Sequence, residues 1–315
     1  MTTLHQTDVD GVQCFWVDSE RPTLSAGLMF RCGIADEPLQ ESGWLHMLEH
    51  LALHDRGGGA LHVNGSVTPL LTMFESHGPA DQVVDHLTGV TRWLNDPELE
   101  ELERERGVLR AEAATRGGPV VRAFGWRYGA KGPGVVGMGE SGLGRATPDA
   151  LRARARQVFT QGNAALVLDG PPPASLSLTL PVGELRPPAP AVPCEDKLPA
   201  GYVDDAGVVI SGVVPRSASA TILPELLQRA LRTEFRDIAG GSYAPWCTYE
   251  GVDQENALVI AGSDVSRELL PTLVRRTLKL VRRMADDGPE AGRLEEIIEA
   301  RAQAMSDPYL SLIHI

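Results

Sequence analysis

The string His46-Met47-Leu48-Glu49-His50 gathers two imidazoles and a carboxyl group into five consecutive residues. On a helix, side chains at i and i+4 lie on one face, one turn apart. Two imidazoles spaced this way both reach a single metal ion at about 2.0–2.1 Å. Glu49 falls on the edge of the same face, where it reaches a metal-held water without displacing a ligand. The order is HxxEH, the reverse of HExxH. The chemistry it suits is zinc-assisted hydrolysis, with His46 and His50 as ligands and Glu49 as catalytic base.

A catalytic zinc takes three protein ligands and keeps one position open. A third ligand must therefore come from elsewhere in the chain. Glu105 and Glu112 stand seven apart in a second helical stretch, two turns along one face. Glu98, Glu100, Glu101 and Glu103 in the same stretch read as a solvated charged surface. Glu112, set among Val108, Leu109 and Ala111, reads as half-buried and is favoured as the third ligand. His54 is the rival, but three side chains along one straight helix cannot surround a tetrahedral ion.

The elements that must position these groups follow from periodicity. Alternating runs at 12–17 and 25–32 predict strands, and Ser42 is the expected N-cap of a helix from Trp44 to Leu53. Gly57-Gly58-Gly59 breaks the chain before a strand-like run at 60–74 interrupted at Pro69. Residues 79–94 predict an amphipathic helix, and Asp96-Pro97 is read as the cap and first residue of another, running to about Arg116. Residues 125–144 are glycine-rich, without a GxxxxGK[ST] string, and read as a flexible surface loop. A helix at 148–159 and a strand at 164–168 close the first domain, residues 1–170. Residues 171–199, rich in proline, read as an extended linker. The second domain, 200–309, is expected to carry strands at 206–214 and 256–263 and helices at 218–237, 266–286 and from Pro289. It reads as truncated, and Leu310–Ile315 as a non-native tail.

The 315 residues, 43% of them hydrophobic, suffice for about two domains with buried cores. A net charge of −13 disfavours nucleic acid and anionic membranes as partners. Cys14, Cys32, Cys194 and Cys247 lie far apart and read as reduced thiols, giving neither a disulfide framework nor a thiolate zinc site. Neither a secretory leader nor an apolar run of spanning length is visible, so the expected location is cytoplasmic.

Several separated motifs together resemble one family. GWLHMLEHLAL (43–53) is similar to the signature of the pitrilysin/insulinase family, M16, which includes the mitochondrial processing peptidases. ELERERGVLRAE (101–112) resembles its distal zinc-ligand helix, NGSVTPLLTMF (64–74) its substrate-binding edge strand, and LRTEFRDIAGGSYAPW (231–246) an element of its second domain. The resemblance implies an α+β fold of two similar domains, each a mostly antiparallel sheet with helices packed on it. It implies one zinc per active site, held by His46, His50 and Glu112, with Glu105 as supporting carboxylate. Asn64, with Arg236 and Tyr243, is implied to bind substrate backbone. The function implied is a zinc metalloendopeptidase cleaving short or unfolded peptides as a homodimer or paired with a second M16 subunit. The alternatives are a non-catalytic subunit or peptide-binding module of the same fold, or a recognition protein with structural zinc. Two departures stand out: a short interval between His50 and Asn64, and Gly65 where the family usually has alanine.

Overall fold

A computed structural model of the chain describes residues 3–115, 118–194, 199–201, 208–235, 245–263 and 265–305. The expected α+β class is found. In chain order the first elements are β1 (Leu4–Val9), β2 (Val12–Val17), β3 (Leu24–Phe30), α1 (Trp44–Leu53), β4 (His62–Val67) and β5 (Thr72–Gly78). Then come α2 (Ala80–Asn95), α3 (Leu102–Thr115), α4 (Pro119–Tyr128), α5 (Pro148–Val158) and β6 (Ala164–Leu168). The chain forms two compact units. Residues 3–115 and 138–188 build the first, and residues 118–137 and 189–303 the second.

The sheet of the first unit has the order β1-β2-β6-β3-β5-β4. Its pairs are antiparallel except β2 with β6. Period-two alternation sends Leu24, Ala26, Leu28 and Phe30 of β3 and Phe74 of β5 into one core. There Phe30 meets Phe159 edge to face at 4.8 Å and Phe74 at 6.2 Å. Such pairs add about 0.5–1.5 kcal/mol each beyond the area they bury. Helices α1, α2 and α5 cover this layer with Leu45, Leu48, Leu87, Leu94 and Leu151. β4 is one of the sheet's two edge strands and packs beside α1, which also touches α3.

The structure corrects several expectations in residues 42–188. Asp96 ends α2, its N–H bonding the carbonyls of Arg92 and Trp93, and α3 begins only at Leu102. The residue before a proline is driven out of the helical region, which ends α2 at Asp96, and residues 97–101 carry no helix. Ser42 is not the N-cap of α1; Gly43 is, and Ser42 accepts a hydrogen bond from the Gly142 N–H. The run at 60–74 is a hairpin whose turn contains Pro69. The glycine-rich stretch is ordered, with α4 followed by 3-10 turns at Gly132–Met138 and Ser141–Arg145. Its glycines permit close approach: a Cβ on Gly142 would lie 2.5 Å from the Ser42 nitrogen. Residues 171–188 carry no helix or strand, yet Leu176, Leu178 and Leu180 are buried in the first unit's core.

In the second unit, β7 (Val208–Pro215), α6 (Leu223–Phe235), β8 (Trp246–Gly251), β9 (Asn256–Ser263), α7 (Leu270–Asp287) and α8 (Arg293–Met305) follow. The strands pair antiparallel in the order β7-β9-β8. β9 is covered on both faces. Leu258 and Ile260 pack with Phe124 and Tyr128 of α4, while Ala261 packs with Leu231, Phe235, Leu273 and Leu280 of α6 and α7. β8 was not anticipated, because its residues are uniformly half-buried and show no alternation. No described helix is long and apolar enough to cross a membrane. The four cysteines are free, and burial pushes Cys14 up to about 11 and Cys32 and Cys247 up to about 12.

Candidate active site

α1 is apolar along most of its length, and Trp44, Leu45, Met47, Leu48, Leu51 and Ala52 are buried. Its N-terminus is capped by Glu37 from the preceding loop. Oε2 of Glu37 accepts the Gly43 N–H at 2.9 Å and Oε1 accepts the Leu45 N–H at 2.7 Å. Burial pushes the Glu37 carboxyl up to about 7, while these two N–H groups pull the other way. The cap fixes the start of the helix and with it the direction of the histidine face.

On that face His46 and His50 stand one turn apart, rings 4.6 Å between centroids. Their Nε2 atoms face two carboxylates. Glu112, reaching across from α3, lies 3.9 Å from His46 Nε2 and 3.7 Å from His50 Nε2. Glu49, on α1 itself, lies 3.8 and 3.9 Å from the same two atoms. Among the described residues, His46, Glu49 and His50 form a group of three whose donor atoms all lie within 4.8 Å of one another. Glu112 is outside that group, and it offers a different oxygen to each imidazole. The two carboxylates differ in setting: the Glu49 side chain is 6% exposed and that of Glu112 39%.

The opposite ring nitrogens are committed elsewhere. His46 Nδ1 donates to Glu140 Oε1 at 2.7 Å, and His50 Nδ1 to Glu105 Oε2 at 3.2 Å. An ionised carboxylate only accepts, so in each pair the proton belongs on Nδ1 and the Nε2 lone pair is left for a metal. The other Glu105 oxygen faces His54 Nδ1 at 3.2 Å. His54 thus shares Glu105 with His50, and its Nε2 is 3.4 Å from Asp55.

The donor set suits zinc. Bonds of about 2.0–2.1 Å in a tetrahedron hold ligand atoms about 3.3–3.4 Å apart. The separations from Glu112 to the two imidazoles, 3.9 Å from one oxygen and 3.7 Å from the other, are somewhat longer, so one oxygen would have to turn inward to close on an ion.

Beside α1 runs the edge strand β4. Asn64 is on it, with its side chain donating to Glu75 Oε2 across the hairpin at 3.1 Å. Gly65, on the opposite face, lies directly under Glu49. A Cβ on Gly65 would come within 1.9 Å of Glu49 Oε1 and 2.6 Å of its Cδ. Arg236 and Tyr243 lie outside the described residues. Glu140 is the participant that the sequence reading missed. It sits in the glycine-rich stretch, 94 positions from His46, and no spacing links the two.

No family model matches the chain, and no curated protein matches it. Solved structures do. A protease from Helicobacter pylori matches 98% of this chain and 86% of its own, at 16% identity and a TM-score of 0.72. The peptidase M16 inactive domain from Pseudomonas fluorescens matches 95% and 83%, at 12% identity and a TM-score of 0.70. A chain of Complex III2 from Candida albicans matches 98% and 84%, at 12% identity and a TM-score of 0.75. Similarity at this level bears on the fold alone, and an inactive domain among the matches leaves activity to be argued from the site. On that basis, the chain has the fold of the M16 peptidases.

Proposed function

We propose that the chain is a zinc-dependent metalloendopeptidase of the M16 type, acting on short or unfolded peptides. The observation that carries this reading is the convergence of His46 Nε2, His50 Nε2 and two carboxylates on one point. His46, His50 and Glu112 would hold the ion. Zinc, when bound, supplies a Lewis acid that makes a water acidic near neutral pH and polarises a carbonyl. Glu49, buried beside the same point, takes the water's proton and returns it to the leaving amine. Glu105 holds His50 through Nδ1.

An extended peptide fits along β4, the edge strand that passes under Glu49, by strand addition. Asn64 would steady its backbone, and by the family resemblance Arg236 and Tyr243 would do so in trans, from a second copy. The reading includes pairing with a second copy or a second M16 subunit, which the family resemblance implies for a chain carrying both motif sets.

The test is metal content and metal-dependent cleavage. Purified protein should carry one zinc per chain, lose cleavage of an unstructured peptide on chelation, and regain it on adding zinc. A chain that binds no zinc and cleaves nothing is instead a non-catalytic subunit or peptide-binding module. That alternative is raised by the Pseudomonas fluorescens inactive domain, which shares the fold.

The bare backbone under Glu49 yields a second expectation. In Gly65→Ala the methyl group claims space now held by the Glu49 carboxylate, which must shift by more than 1 Å. Misplacing a catalytic group by that much costs about 10²-fold. We expect kcat to fall about tenfold to a hundredfold with zinc content unchanged, measured by steady-state cleavage. Wild-type kcat in G65A would refute this placement of Glu49.

A further inference from the structure

Glu140 reaches the site from a turn held at both ends. At one end the turn is fastened to α1: Trp44 Nε1 donates to the Gly142 carbonyl at 3.0 Å, and the Gly142 N–H bonds the Ser42 carbonyl at 3.1 Å. At the other end Arg106 of α3 donates to the carbonyls of Leu143 and, at 2.8 Å, Ala146. Arg106 is buried, at 7% exposure, next to Glu105 in sequence. The turn thus ties together the two helices that carry the donor atoms.

At Gly43 the backbone leaves no room beside Glu140. A Cβ there would meet Glu140 Cβ at 2.8 Å and Cγ at 3.1 Å. The side chain runs along this surface and ends 2.7 Å from His46 Nδ1. Both partners are enclosed, with side-chain exposures of 13% for Glu140 and 11% for His46.

We propose that Glu140 is a positioning residue of the metal centre, matching Glu105: Glu140 fixes the tautomer and ring orientation of His46, and Glu105 those of His50. Each imidazole thereby has its own carboxylate, delivered by a separate element. Carboxylates placed behind ligand histidines in this way govern metal affinity, and their loss typically costs about 10–100-fold. The inference rests on the zinc reading above.

Full-length protein is compared as wild type, Glu140→Ala and Glu140→Gln. The readouts are zinc affinity by competition with a chromophoric chelator, the visible spectrum of the Co2+-substituted protein, and melting temperature of the metal-free form. We expect E140A to bind zinc about 10–100-fold more weakly, with an altered cobalt spectrum. E140Q should recover most of the affinity, because its amide oxygen accepts the same Nδ1–H. Should E140A fail to fold, Glu140→Asp is read instead. It keeps the charge but draws the carboxylate back by one methylene, and the same weakening is expected. Wild-type affinity in E140A, or in E140D where that variant is read, overturns the proposal even if the protein melts lower, since a turn that merely staples helices shifts stability and not affinity. A wild-type chain that binds no zinc removes the metallopeptidase reading and this inference together.

Discussion

Glu49→Gln should abolish peptide cleavage while leaving one zinc per chain. The glutamine side chain would fill the same volume and could still hydrogen-bond, but it would not take a proton. General-base removal costs about 10²–10⁴-fold in rate, so kcat should fall by at least two orders of magnitude, with KM little changed. The Glu49 side chain is 6% exposed and stands within 4 Å of both Nε2 atoms, so the substitution is local. Steady-state kinetics and elemental analysis on one preparation check both halves. If zinc disappears along with activity, Glu49 is a ligand, as its membership of a three-donor group with His46 and His50 would allow. If cleavage persists at the wild-type rate, the base is another group and the proposed division of labour is wrong.

How much of this was legible in the sequence follows from the range of each interaction. His46, Glu49 and His50 belong to one helix, and helical periodicity alone places them on one face. Glu112 is on a different helix, but its apolar neighbours Val108, Leu109 and Ala111 marked it off from the solvated glutamates upstream. In the structure Glu112 is half-buried, but of these neighbours Leu109 alone is buried, while Val108 and Ala111 are exposed. The paired strands β3 and β6 were readable for the same local reason, as alternating or apolar runs between breaks.

What stayed hidden depends on contacts between distant segments. Ser42 has the right residue type for an N-cap, and local preference puts it there. Glu37 wins because a 3-10 turn at Leu39–Glu41 swings its carboxylate back onto the Gly43 and Leu45 N–H groups. Composition likewise marks 125–144 as a loop, since glycine is entropically costly to order. The same lack of side chains lets Gly142 pack against Ser42 and bring Glu140 to His46. The proline-rich stretch was read as a linker from composition. Its alternating Leu176, Leu178 and Leu180, all buried, were the overlooked sign that it lies on the core.

Glu112→Gln should cost the protein its metal. The variant keeps size and hydrogen-bonding capacity but replaces an anionic oxygen donor with a neutral amide, a poor ligand for zinc. Residues that only orient a ligand cost about 10–100-fold in affinity when lost, so a direct ligand should cost more than 10²-fold. After dialysis against metal-free buffer, E112Q is expected to hold little zinc and cleave nothing, with partial recovery in excess zinc. The metal-free form should melt near wild type, because the Glu112 side chain is 39% exposed and such positions usually lie within about 0.5 kcal/mol. This profile is the converse of that expected for E49Q, where metal stays and chemistry goes. The two carboxylates approach the same nitrogens at almost the same distances, 3.7–3.9 Å, so distance does not separate them. The proposed division rests on origin: Glu112 comes from the opposing helix and would complete the ligand set with the two imidazoles of one helix, which would leave Glu49 as the base. Retention of zinc by E112Q together with loss by E49Q would reverse the assignment and put the base on α3.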